Sequence, residues 1–268
     1  MPNLKEIEKG LNSNLGCECL AAAKACKNMR ISEGKILNWI DAKRWPWRLA
    51  AIYACFNKQE VNLSVVEKGI LDRDYDVQDL AAELCCTLAI SSDVILEWSG
   101  SKDWRLRRAA MYACTREEYV KTTSVIDKGL QDGNSEVAIA AAKACEGAKV
   151  SFEKITRWAR SRLWSERLAA IYACEGRNDI YPLEIVEKRL TDGDKLVSST
   201  AIKACKGISM PRRKIIGWAN SEIWQKRAAA MMATIGRIDI PEKIVTDGLK
   251  DKCEKVRDYA READQTEI

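Results

Sequence analysis

Four arginines hold one place in a recurring frame. Arg48, Arg107, Arg167 and Arg227 each stand three residues after a tryptophan, namely Trp45, Trp104, Trp164 and Trp224. Five residues further on come Tyr53, Tyr112 and Tyr172, with Met232 in the fourth copy. A guanidinium three residues from an indole on a helix can stack on it, and Tyr, Trp and Arg are the side chains that anchor binding surfaces. The chemistry on offer is recognition, not bond making. The chain has no histidine, which removes imidazole acid–base catalysis, histidine-activated nucleophiles and most catalytic metal sites. Cys17-Glu18-Cys19 and Cys85-Cys86 lack the spacing and the second ligand pair of a zinc site. No metal and no cofactor is expected.

A second set of cations is less regular: Lys43-Arg44, Arg105 with Arg108, Arg157 with Arg160 and Arg162, and Arg212-Arg213-Lys214. They either make a solvated face or a broken basic stripe near the turns, suited to phosphate or to an acidic protein. The sequence pI of about 8.6 is only mildly basic, below that of a dedicated nucleic-acid binder.

The elements that carry these residues repeat. Trp164 to Cys174 recurs as Trp45 to Cys55, as Trp104 to Cys114 and, faded, as Trp224 to Thr234, with starts 59, 60 and 60 residues apart. Such a period is the signature of a repeat array, so a single domain over 1–268 is expected. Each period divides into two units of about thirty residues, plain and aromatic, near 2–31, 32–61, 62–90, 91–120, 121–150, 151–180, 181–210, 211–240 and 241–268. The four aromatic units hold 22 Lys and Arg against 14 Asp and Glu, so positive charge follows the same rhythm. A unit shows an apolar pair such as Ile185-Val186, a polar turn such as Asp192-Gly193-Asp194, then an Ala-rich run ending in Cys205. That pattern predicts two short helices, with Ser, Asp or Pro at the starts and Gly147, Gly176, Gly207 and Gly236 near the ends.

Seven cysteines, Cys26, Cys55, Cys85, Cys114, Cys145, Cys174 and Cys205, end these runs. They read as small buried hydrophobes in a reducing compartment, and a cytoplasmic location is expected. The opening residues are charged, and the least charged run, Leu84 to Ser92, is far shorter than a membrane span. No membrane association is expected.

Aligning first helices at an offset of 29 places Gly10, Gly69, Gly129 and Arg189 opposite Trp39, Trp98, Trp158 and Trp218. A core tryptophan filling the space left by a glycine on the next helix is the expected cause of the alternation. On the second helices, Ala169, Ala170, Ala173 and Cys174 share one side, and Trp164, Leu168, Ile171 and Tyr172 the other. Plain units put Lys24, Glu83, Lys143 and Lys203 where the tyrosines stand. Two readings compete: apolar residues all round because a helix has neighbours on both flanks, or an exposed ladder of Tyr and Trp.

The plain units, with Asp132-Gly-Asn-Ser-Glu-Val137 leading into Ala140-Ala-Ala-Lys-Ala-Cys145, resemble HEAT-type repeats, particularly the short class of phycobilin lyases. The resemblance covers essentially the whole chain. It implies an all-α fold, a right-handed α-solenoid of about nine two-helix repeats whose second helices line a concave face. It also implies that Arg48, Arg107, Arg167 and Arg227 pair with a turn aspartate of a neighbouring unit, for which Asp72, Asp132, Asp192 and Asp251 are available. The metal-binding hydroxylases of this fold use histidine ligands, which this chain lacks.

Function is less determined, since one fold serves many tasks. The leading expectation is a non-catalytic scaffold that grips another protein through Trp45, Tyr53, Trp104, Arg108, Tyr112, Trp164, Tyr172 and Trp224. The alternative is nucleic-acid binding, with Lys43, Arg44, Arg105, Arg157, Arg160, Arg162, Arg212 and Arg213 on phosphates. Trp158-Ala-Arg-Ser-Arg-Leu-Trp164, followed by Arg167 and Ala169-Ala170, is similar to a pattern in HEAT-like alkylpurine DNA glycosylases. Here that pattern occurs four times, and Asp41, Asp103 and Asp179 answer to a catalytic aspartate by proximity alone. A component of a larger assembly, joined end to end through the Cys17, Cys19 and Leu20 region, is the third reading.

Overall fold

The computed structural model describes residues 3–58, 60–115, 119–175, 177 and 182–265, and among these it is all-helical. Its contacts divide the chain into two compact units, residues 1–144 and 145–268. The first holds α1 (Leu4–Leu11), α2 (Gly16–Ala25), α3 (Glu33–Ile40), α4 (Trp45–Tyr53), α5 (Leu63–Ile70), α6 (Tyr75–Cys85), α7 (Ser92–Ser99), α8 (Trp104–Ala113), α9 (Tyr119–Leu130) and α10 (Ser135–Lys143). The second holds α11 (Phe152–Ala159), α12 (Trp164–Tyr172), α13 (Pro182–Arg189), α14 (Lys195–Ala204), α15 (Arg212–Ala219), α16 (Trp224–Thr234), α17 (Lys243–Gly248) and α18 (Glu254–Gln265).

Helices this short are marginal alone, so local signals start them and packing holds them. Asn3, Asn62, Asp74, Ser91, Asp103, Asn134, Ser151 and Asp194 each cap the following helix through a side-chain oxygen. At the other ends, Gly147 and Gly236 take left-handed backbone, φ +69° and +71°, a conformation that closes helix C-termini. Asn57, at the position matching Gly236, does the same with φ +66°. Gly176 lies outside the described residues.

Each odd-numbered helix packs on the even-numbered helix that follows it. Within the first unit α2, α4, α6, α8 and α10 also pack on one another in succession, as do α12, α14, α16 and α18 within the second. Alanine and cysteine make these approaches close: Ala50, Ala51, Ala54 and Cys55 are buried, as are Ala169, Ala170, Ala173 and Cys174. Trp39, Trp98, Trp158 and Trp218 are all core residues.

The cause of the alternation differs from the one expected. A Cβ at Gly69 would meet Ile52 Cδ1 at 2.6 Å and Ala81 Cβ at 2.8 Å; at Gly129 it would strike Met111 and Ala141, and at Gly248 Met231 and Ala260. The side chain that needs the glycine therefore comes from the second helix of the preceding aromatic unit, not from the tryptophan of a first helix. A Cβ at Gly10 would meet only its own second helix, at Ala22 Cβ and the Glu18 carbonyl.

The arginine series ties the same two units together. Arg48 donates from Nε to Asp72 Oδ2 at 2.6 Å and from Nη2 to Oδ1 at 2.9 Å, while Nη1 reaches the carbonyls of Ala42 and Lys43. Arg107 with Asp132, Arg167 with Asp192 and Arg227 with Asp251 reproduce the fork, each with two carbonyls of its own turn. Every aspartate also accepts the backbone N–H two residues on, from Asp74, Asn134, Asp194 or Cys253. A planar guanidinium meeting a carboxylate at two points is the strongest geometry such a pair has.

Candidate interaction face

In both units the face of the even-numbered helices turned away from the alanines carries the aromatic residues. Trp45, Trp104, Trp164 and Trp224 are half-buried, and so are Tyr53, Tyr112 and Tyr172. Leu168, Ile171 and the matching Ile52 are fully buried, and Met232 is buried where the fourth tyrosine would stand. The two competing readings each hold for part of the stripe: the Ile52 series packs on the next hairpin, and the rings reach the surface beside exposed Lys24, Glu83, Lys143 and Lys203.

In the first unit an acidic row divides the rings. Asp76, Asp79 and Glu83 lie at helical spacing on α6, between Tyr53 on α4 and Tyr112 on α8. Burial raises both phenols above the usual tyrosine range, and the carboxylates add to it. Arg108 sits beneath this surface, 2% exposed. Its Nη1 is 2.7 Å from Asp79 and 3.5 Å from Glu136, and its guanidinium lies 5.3 Å from the Trp104 ring and 5.9 Å from Tyr75. Its Nη1 is taken within the protein while its buried Nε has no partner, and the guanidinium lies against Trp104 and the exposed Tyr75. Sequence reasoning passed over Tyr75 because no periodic partner marks it.

In the second unit the matching row on α14 is Leu196, Ser199 and Lys203, apolar to basic. Burial raises the Tyr172 phenol, against a hydrogen bond with Thr200. Between α14, α16 and α18 runs a groove of about 550 Å³ where Trp224 and Tyr259 are lined by both signs of charge, Lys195, Lys203 and Lys255 with Asp192, Asp258 and Glu262. Lys255 Nζ stands 5.0 Å from the centre of the Trp224 ring. Tyr259 and Lys255 were not foreseen, since the last helix departs from the repeat that marks the others.

The irregular cations divide into two groups. Arg44 donates to the carbonyls of Asn12 and Ser13, and Arg105 to those of Leu71 and Asp72 and to the carboxylate of Asp103. These two brace successive turns. Lys43, Arg157, Arg160, Arg162, Arg212 and Arg213 are exposed. Five of those six lie in the second unit, which has 24 Lys and Arg against 19 Asp and Glu, whereas the first has 20 of each. The net positive charge therefore belongs to the second unit.

Asp41 is ion-paired to Lys68 at 2.7 Å, and Asp103 caps α8 and holds Arg105. Asp179 lies outside the described residues. All eleven cysteines are free thiols, and burial pushes Cys26 and Cys55 up to about 11 and Cys174 and Cys205 up to about 12, which leaves them protonated and unreactive. Among the described residues no cluster of three or more His, Cys, Asp or Glu could hold a metal ion, and no helix is long and apolar enough to cross a membrane. No protein-family model matches the chain, and no curated protein shows significant similarity to it.

Proposed function

We propose that the chain is a HEAT-like array, a right-handed solenoid of about nine two-helix repeats, that serves as a non-catalytic scaffold and binds another protein on the face of its even-numbered helices. The observation that carries this reading is the placement of Trp and Tyr rings half in the surface, with exposed charged side chains beside them in each unit. Half-buried rings offer apolar area at little entropic cost, and the flanking charges orient a partner. The free, deeply buried thiols suit a reducing compartment such as the cytoplasm.

The test is a pull-down from the native cytoplasm, with and without nuclease and at two salt concentrations, using the intact protein and a Tyr112→Ala, Tyr172→Ala variant. The expected outcome is a protein retained under all four conditions by the intact chain and lost by the variant, whose helical circular dichroism stays native. Retention by both proteins would remove the aromatic face from the account.

A second reading has its own support. The exposed Arg157, Arg160, Arg162, Arg212 and Arg213 all lie in the unit with the net positive charge, which suits a polyanion, with alkylpurine-glycosylase activity as its enzymatic form. Material whose capture vanishes with nuclease or with salt would favour it.

A further inference from the structure

One cleft breaks the pattern of the helices around it. In the second unit α11 and α13 flank a cleft of about 230 Å³ whose walls include Phe152, Thr156, Arg160, Glu184, Lys188 and Arg189. One period on, α15 and α17 flank its counterpart of about 270 Å³, and the matching wall residues there are Ile216, Asn220, Lys243, Asp247 and Gly248. The geometry repeats and the chemistry does not. Three cations in the first cleft answer to an amide, a carboxylate and a glycine in the second.

The departures are specific to this cleft. Position 156 is Leu37, Leu96 and Ile216 in the other aromatic units, position 160 is Asp41, Gly100 and Asn220, and position 189 is glycine in the other plain units. Phe152, Thr156 and Arg160 follow one another four residues apart on one face of α11 and beyond its end. Phe152, one of two phenylalanines in the chain, is 49% exposed at the rim.

Two buried polar atoms in this cleft have no partner: Oγ1 of Thr156 and Nε of Arg189. Arg189 spends Nη1 on Asp192 Oδ2 at 3.0 Å, an oxygen already taken by Arg167. A buried donor left unmade costs about 1–3 kcal/mol, more when it is charged. Simple packing would have favoured the leucine and glycine that the other copies carry.

We propose that the α11–α13 cleft binds a small oxyanion-bearing ligand, a phosphoryl or carboxylate group with an apolar arm. An oxygen of the ligand accepts from Nε of Arg189 and from the hydroxyl of Thr156, Arg160 and Lys188 supply positive potential, and the arm lies against Phe152. Glu184 is outweighed by the three cations. The volume admits an oxyanion and a few carbons, and an open depression of about 650 Å³ adjoins it beyond Phe152, Thr156 and Arg160. This site is separate from the aromatic face and stands whether or not that face binds a protein.

Calorimetric titration of the full chain tests it, with inorganic phosphate, phenyl phosphate and phenylacetate as probes at constant ionic strength. Saturable one-to-one binding of at least one probe is expected, with phenyl phosphate tighter than inorganic phosphate; which aryl probe binds better identifies the oxyanion. Arg189→Gly and Thr156→Leu restore residues that other copies of the repeat already carry, so both variants fold, which circular dichroism checks, and each weakens binding tenfold or more. Lys250→Ala, an exposed residue outside the cleft, leaves it unchanged. No saturable heat with any probe, or binding that the two cleft variants leave intact, overturns the proposal.

Discussion

At the scale of single residues the arginine forks dominate. Arg48 and Asp72 are nearly enclosed, at 7% and 6% side-chain exposure, and breaking a buried pair from one side leaves the other charge stranded. Arg48→Ala is expected to lower the unfolding free energy by about 3 kcal/mol, measured by urea titration with an unchanged slope. The aspartates also set an acid limit. Arg107 and Arg227 hold Asp132 and Asp251 below the usual carboxylate range. Burial pushes Asp192 up, but Arg167 and the backbone N–H of Asp194 outweigh it. Because the folded values lie below the unfolded value of about 3.9, this stabilisation is complete above that pH and is lost as the pH falls through the depressed values. The thermal midpoint should therefore stay flat from neutral to about pH 5 and drop steeply below about pH 4; a midpoint that falls already between pH 7 and 5 would point to other groups. These pairs were expected from the resemblance to HEAT-type repeats, which implies such an arginine meeting a turn aspartate, and the sequence offers one aspartate 24 or 25 residues after each arginine. The burial of Arg108 was not legible. Its position holds Leu49, Leu168 and Ala228 in the other aromatic units, and only the packing shows Asp79 and Trp104 closing over it.

At the scale of helices, the glycines decide how closely an aromatic hairpin meets the plain one after it. Gly129→Ala drives a methyl group into Met111 and Ala141, and overpacking of this kind costs about 1–3 kcal/mol. Gly133→Ala, where a Cβ would meet nothing within 4 Å, is the matched control and should be neutral. Equal effects of the two substitutions in thermal unfolding would mean that contact with Met111 and Ala141 does not set the cost, since Gly133 lies in the turn between α9 and α10. Helix starts, turns and the tryptophan core follow from caps and periodicity and could be read directly. The partner of each glycine could not, because alignment at a fixed offset compares like helices, whereas the contact runs from a second helix to a first. The same blindness hid the α11–α13 cleft: Arg189 stood out as a break in a glycine series, but the unpartnered Nε beside Thr156 exists only in three dimensions.

At the scale of the molecule, the thiols report on both compact units at once. Cys17 is exposed, Cys86 and Cys253 are half-buried, and the remaining eight are buried. Titration of the native protein with a disulfide reagent at neutral pH is expected to show one fast thiol, two slower ones and eight that react only on unfolding; a burst of more than three would mean that a unit opens under native conditions. The all-helical class was readable because repetition multiplies a weak signal, while the charge imbalance between the units emerged only once the contacts placed their boundary. The forks and glycines impose one more condition. Both join an aromatic hairpin to the plain hairpin that follows, so excision of a single thirty-residue unit would leave arginines facing no aspartate and an isoleucine or methionine facing no glycine. A chain built this way can grow or shrink by gene duplication only in paired steps of about sixty residues, and its admissible lengths are quantised.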